Sequence, residues 1–237
     1  MIGRGLPVLV LILSLTACAA PSTRPLASPP VHTAAIGDST PAWRTCYFRT
    51  SWPEGEPPRW AVDLLVAHRI LGPILAEQGQ DLQFWRFNRR AARDQAGHHL
   101  RFLFYTDSTR AADIINSVQQ NEVRSKLLEN RVLQSVNCQS PNDMSQPRIG
   151  DTSDPAWPET IQNHWPAYIM GISQMWLGLI EDATQQIGPP AADIAKLLEQ
   201  YTRANEIVTT LWHVEGEHVF LHHLSGIFGY QPLHINF

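Results

Sequence analysis

The stretch Ala96-Gly97-His98-His99-Leu100-Arg101-Phe102-Leu103-Phe104-Tyr105 decides the fold. Its large apolar and aromatic side chains read as a buried β-strand, yet two histidines and an arginine stand at its start. Alternate side chains of a strand point to opposite faces. His98, Leu100, Phe102 and Phe104 therefore share one face, which the Leu-Phe-Phe run makes core. His99, Arg101, Leu103 and Tyr105 take the other, more open face.

The neighbouring segments supply partners for this strand. Residues 44–50 (R-T-C-Y-F-R-T) are strand formers that end at a Ser-Trp-Pro turn. Pro57-Pro58 open a helix in which Trp60, Leu64, Ala67, Leu71 and Ile74 fall on one face, and Gly72-Pro73 should kink it. Residues 81–88 (D-L-Q-F-W-R-F-N) read as a second strand, and the polar, basic residues 89–97 as a loop before the strand at 98–105. Asp107 or Ser108 caps a helix running to about residue 129, with Ala111, Ile115 and Val118 inward. Residues 132–138 form a fourth strand.

The order strand, helix, strand, strand, helix, strand predicts an α+β fold, with a ferredoxin-like split βαβ antiparallel sheet in its first half. Residues 139–158 are irregular and proline-rich. The last third reads as helical. Pro166 opens a helix with Ile169, Ile172, Trp176 and Leu179 on one face, and Gly188-Pro189-Pro190 ends it. A second helix is defined by Ile194, Leu197, Tyr201, Val208 and Leu211, and a last helical stretch covers about residues 215–228.

The N-terminal residues read as an export signal. Arg4 precedes an apolar core at residues 6–15, too short for a bilayer-spanning helix of about 20 apolar residues. Leu15-Thr16-Ala17-Cys18 then looks like a bacterial lipobox, with Cys18 the residue lipidated; an ordinary cleaved signal is the alternative. Each buried acyl methylene adds about 0.8 kcal/mol of anchoring. The expected organisation is a signal peptide at 1–17, a tether rich in Ala, Pro, Ser and Thr at 18–41, and one domain at 42–237. A protein so anchored faces away from the cytoplasm, held to a membrane by its N-terminal lipid.

Composition narrows the function classes. A net charge of −4 with no basic block gives no case for nucleic acid. There is no Gly-rich phosphate loop, no Gly-x-Ser-x-Gly elbow and no Cys-x-x-Cys pair, so no cofactor is expected. Cys46 and Cys138 remain after Cys18 is set aside; in an oxidising compartment they are either bridged or two buried free thiols. The eight tryptophans read chiefly as packing groups.

Two constellations carry chemistry. If Arg86 of the preceding strand shares a face with Arg101, two guanidiniums beside His99 make a clamp for a carboxylate or phosphate, each offering a planar fork of donors. Near the end, His213, Glu215, Glu217, His218, His222, His223 and His234 cluster. On a regular helix Glu215, His218 and His222 share a face at i, i+3 and i+7, the weak pattern for a divalent metal, with Gly216 working against it.

Phe84-Trp85-Arg86-Phe87, a basic loop, then His99-Leu100-Arg101-Phe102 resembles the paired signature of the C-terminal elimination domain of lantibiotic dehydratases, also described as thiopeptide-type bacteriocin biosynthesis. The opening strand, Ile70-Leu71-Gly72-Pro73-Ile74-Leu75, and Leu221-His222-His223-Leu224-Ser225-Gly226-Ile227-Phe228-Gly229 resemble further segments of that family, in order. The resemblance implies that Arg86, His99 and Arg101 bind an acidic or peptide ligand, and that His222 or His223 assists β-elimination from a glutamylated peptide. The chain departs from the family at Leu103, where a second arginine is usual, at Ser225-Gly226 in place of Asn-Arg, and at Pro147-Arg148-Ile149-Gly150. Elimination on a substrate made with glutamyl-tRNA also conflicts with export. The sequence therefore favours a lipid-anchored binding protein, with a β-elimination lyase as the alternative and a metal-binding protein as a third reading.

Overall fold

The computed structural model describes residues 40–230. The signal segment, Cys18, the tether as far as residue 39, and His234 lie outside the described residues. Strands β1 (Ala42–Thr50), β2 (Phe84–Ala91), β3 (His98–Thr106) and β4 (Leu133–Cys138) form one sheet in the order β2-β3-β1-β4. Every neighbouring pair is antiparallel. Helices α1 (Trp60–Val66) and α2 (Gly72–Gln78) connect β1 to β2, and α3 (Ser108–Gln120) and α4 (Glu122–Glu129) connect β3 to β4. Helices α5 (Glu159–Ile187), α6 (Ile194–Glu215) and α7 (His223–Ile227) follow. The chain is α+β.

Register divides the sheet cleanly. Cys46 opposes Phe102 and Phe48 opposes Leu100, while Phe87 opposes Phe102 from the other side. These side chains enter one core with Leu64, Ile70, Ile114, Val118 and Leu127, so the helices of both connections cover the same face. Ile180, Leu197, Tyr201 and Val208 of the helical half join that core. On the other face Trp43, Leu103 and Tyr105 make a small separate cluster with Phe84 and Ile149. The segment 139–153 lies over this cluster. Trp43 Nε1 donates to the Ile149 carbonyl at 2.9 Å and the Tyr105 hydroxyl to that of Pro147 at 2.7 Å. The remainder of the second face is open, with Tyr47 38% exposed.

The helix starts follow from side-chain chemistry. Asp107, Asn121 and Asp193 each accept from the backbone N–H three residues on, so each satisfies a donor that the first turn leaves free. Asn121 at φ −68°, ψ 122° breaks in two the single helix expected to reach residue 129. Gly72-Pro73 produces a wide turn rather than a simple kink. Residues Ala67–Leu71 are π-helical, and the Gly72 N–H reaches back to the Ala67 carbonyl.

Pro166 does not open a helix; α5 begins seven residues earlier, after Pro158. Lacking an N–H, Pro166 cannot bond the Gln162 carbonyl. The Ser153 hydroxyl donates to that carbonyl instead at 2.8 Å, so the helix runs on for 29 residues. Ser173 ties this helix to the sheet. Its hydroxyl accepts the Phe87 N–H at 3.1 Å and donates to the Ile169 carbonyl, so α5 covers the free edge of β2.

The histidine that opens the quoted stretch points inward. His98, 1% exposed, places Nε2 at 3.1 Å from Asp63 Oδ1, and Asp63 is equally buried. Arg89 Nε donates to Asp63 Oδ2 at 3.0 Å, and its guanidinium lies 4.8 Å from the Trp60 ring centroid and 4.9 Å from that of Trp176. Arg89 belongs to β2, because the strand extends to Ala91 where the sequence placed a loop. One carboxylate on α1 thus holds a side chain from each of β2 and β3.

Cys46 and Cys138 are disulfide-bonded, directly opposite each other on β1 and β4 and 92 residues apart in sequence. Of the two expected alternatives the bridge is the one present.

Two stability outcomes follow. Closing a loop of this length removes about 4.6 kcal/mol of unfolded-state entropy, so Cys46→Ala with Cys138→Ala should lower the urea unfolding free energy by about that much. Asp63→Ala leaves His98 and Arg89 without their acceptor in the interior and should cost about 3 kcal/mol in the same measurement.

Candidate functional site

The open part of the second sheet face carries the candidate site. In β2, Arg86 opposes Leu103, Asn88 opposes Arg101 and Arg90 opposes His99. In β1, Tyr47 opposes Arg101 and Arg49 opposes His99. Arg86, His99 and Arg101 therefore share one face, with Arg86 one diagonal step from Arg101. Of the two facings that the sequence allowed for Arg86, this is the one beside Arg101.

Each group is held in place. Arg86 is 8% exposed; its Nη2 donates to the Thr152 carbonyl at 2.5 Å, and its Nε is buried with no protein partner. Burial, and then the positive charge of Arg101, push the Arg86 guanidinium down to about 10. Arg101 donates from Nε and Nη2 to Asn88 Oδ1, at 3.1 and 2.7 Å. Among the described residues neither Arg86 nor Arg101 has an acidic side chain within ion-pair reach.

His99 is 7% exposed and lies edge-on to Tyr47. Its Nδ1 is 3.1 Å from the Ala96 carbonyl, which only accepts, so Nδ1 carries a proton and Nε2 is the free nitrogen. Burial pushes its pKa below the ordinary 6.5; the bond to Ala96 opposes this, and the charges of Arg101 and Arg90 add to it. Arg90 is paired with Asp94, and Arg49 donates to the Gln95 carbonyl. The face is thus a basic, partly dry platform floored by two guanidiniums without counter-ions and edged by an imidazole and a phenol.

The residues that sequence reading missed are Asn88, Arg90, Tyr47 and Arg49. Their signal was the strand period: Arg86, Asn88 and Arg90 stand at i, i+2 and i+4, as do Tyr47 and Arg49 at i and i+2. Ending β2 at residue 88 hid Arg90.

The terminal histidines are not part of this cluster. His222 and His223 are exposed, and their rings contact each other, His218 and Tyr230. Among the described residues no hydrogen bond or ring contact joins them to Arg86, His99 or Arg101. The metal pattern is also not formed. Gly216–His222 is π-helical, so the α-helical phase that would align Glu215, His218 and His222 is lost. No group of three His, Cys, Asp or Glu side chains among the described residues is placed to hold a metal ion.

No family model, no curated protein and no solved structure matches this chain.

The depressed His99 pKa fixes a pH dependence. The unfolded chain takes up this proton first, so as pH falls below about 6.5 the His99 contribution favours unfolding. His99→Gln should lose less stability than the parent between neutral pH and the lower end of that window, measured by urea unfolding at each pH. Parallel stability curves for the two proteins would contradict the assignment.

Proposed function

We propose that this protein is a lipid-anchored, extracytoplasmic binding protein whose open sheet face captures an acidic or peptide ligand on Arg86, Arg101 and His99. The carrying observation is the absence, among the described residues, of any carboxylate partner for the two guanidiniums. A charge placed near the interior without a counter-ion is unfavourable, and a buried donor without a partner costs about 1–3 kcal/mol. A ligand carboxylate relieves both, taking bonds from Arg86 and from the Arg101 donors not used by Asn88. Protonated His99 adds a donor at Nε2, so binding should strengthen as pH falls toward the His99 transition.

The antiparallel order β2-β3-β1-β4 supports a ferredoxin-like, elimination-domain-like reading of the sheet half. The lyase alternative requires His222 or His223 beside the arginines. Their exposure, and the absence among the described residues of any hydrogen bond or ring contact from them to Arg86, His99 or Arg101, favours binding over elimination. Anchoring rests on Cys18 in Leu15-Thr16-Ala17-Cys18. No helix among the described residues is long and apolar enough to cross a membrane.

An oligoglutamate peptide is the first probe. It should bind saturably at low ionic strength and weaken with salt, since exposed charges are screened over about 10 Å at 0.1 M. Arg101→Ala should weaken it at least tenfold and Arg86→Ala with Arg101→Ala should abolish it, by titration calorimetry. Equal affinity in parent and double variant would remove the face from consideration. Cys18→Ala should move the protein from the membrane to the soluble fraction of the cell envelope.

A further inference from the structure

A second site lies on the helical side, away from the sheet face. The wide π-turn Ala67–Leu71 sets two successive polar side chains, His68 and Arg69, on the wall of one cavity. Such turns insert one extra residue into a helix and recur at functional sites. The cavity measures about 410 Å³ and is completed by Glu181 from α5, Tyr201 from α6, and Pro189 and Pro190 from the loop between them. That volume lies within the usual range for small-molecule pockets, about 300–1,000 Å³.

Its polar groups are organised. The Tyr201 hydroxyl lies 2.6 Å from His68 Nδ1, and His68 Nε2 lies 2.5 Å from Glu181 Oε2. With the imidazole neutral, Nε2–H donates to Glu181 and Nδ1 accepts from the phenol, so all three groups are fixed. Tyr201 keeps its proton, because burial raises its phenol well above the ordinary value. Glu181 Oε1 also accepts from Gln185 at 2.7 Å; this bond, then that from His68, holds its carboxyl below the usual range and so ionised at neutral pH.

Opposite charges therefore line one cavity without neutralising each other. Arg69 makes no ion pair among the described residues, and its Nε is buried without a partner. Glu181 is engaged only by neutral donors or by His68. A plain anion would meet Glu181 and a plain cation would meet Arg69. A ligand that carries both charges satisfies both walls, and Pro189, Pro190 and Ile187 offer apolar surface for the rest of it. We infer that this cavity binds a small zwitterion of the α-amino-acid class, its carboxylate on Arg69 and its ammonium on Glu181, with His68, itself held by Tyr201, fixing the Glu181 carboxylate in position.

The test is a thermal-shift screen of the twenty proteinogenic α-amino acids on the full chain, followed by titration calorimetry of the best. At least one should bind saturably. Its amine-free and carboxyl-free analogues should each bind at least tenfold more weakly to the parent protein. Arg69→Gln and Glu181→Gln should each weaken the amino acid at least tenfold while circular dichroism shows the fold retained. Arg101→Ala, on the sheet face, should leave it unchanged. No saturable amino acid among the twenty, an analogue that binds as well as its parent, or unaltered affinity in both cavity variants would overturn the inference.

Discussion

The Asp63 carboxylate is the interaction on which the arrangement depends. It is buried at the junction of α1 with the sheet and accepts from Arg89 of β2 while contacting His98 of β3. An unpaired carboxylate there would be strongly unfavourable, so α1, β2 and β3 must meet in one relative position. That position fixes the pleat. With His98 inward, Leu100, Phe102 and Phe104 follow it into the core, and His99 and Arg101 are forced outward. A shift of one residue would send His99 against Asp63 and the phenylalanines into solvent.

The two faces of the sheet are consequently unlike in chemistry. The inner face is covered by the helices of both connections and sealed by the disulfide between its two neighbouring strands. The outer face is half covered, by a segment with one short 3-10 turn at Ile149–Thr152, held by hydrogen bonds from Trp43, Arg44, Tyr105 and Arg86 to its carbonyls. Cover ends where the aromatic cluster ends, and the basic platform begins there. Arg86 sits on this boundary, bonded to the cover with one nitrogen and left with a buried donor beside the open part. The same guanidinium therefore serves packing and faces the candidate site.

The helical half solves a different problem. Helix α5 spans about 43 Å at 1.5 Å per residue and carries a proline inside it. Ser153 and Ser173 make this possible, one serving the carbonyl that Pro166 leaves free and the other the edge of β2. Helix α6 then packs on α1 and α5 and brings Tyr201 to the π-turn. The cavity of His68, Arg69 and Glu181 arises only where these three helices converge.

The α+β class, the order of strands and helical connections in the sheet half and the face that Arg101 takes were legible in the sequence, because each depends on local periodicity or capping: alternation in the strands, 3.6-residue spacing in the helices, and Asp107 at a helix start. The disulfide was legible as one of two alternatives. What the tertiary structure alone decided was pairing. Asp63 reads as one charge on an amphipathic helix until His98 and Arg89 meet it, and Arg89 reads as loop until β3 extends β2 to residue 91. Pro166 reads as a helix start until Ser153, in the irregular segment before the helix, takes up the Gln162 carbonyl that the proline leaves free. The alignment of Glu215, His218 and His222 assumed a turn of 3.6 residues, where Gly216–His222 is π-helical. His68, Glu181 and Tyr201 lie up to 133 residues apart, and no local pattern marks them. Local rules fix what a segment is; which segments share a face, and which charges are left without partners, is set by contacts between residues far apart in the chain.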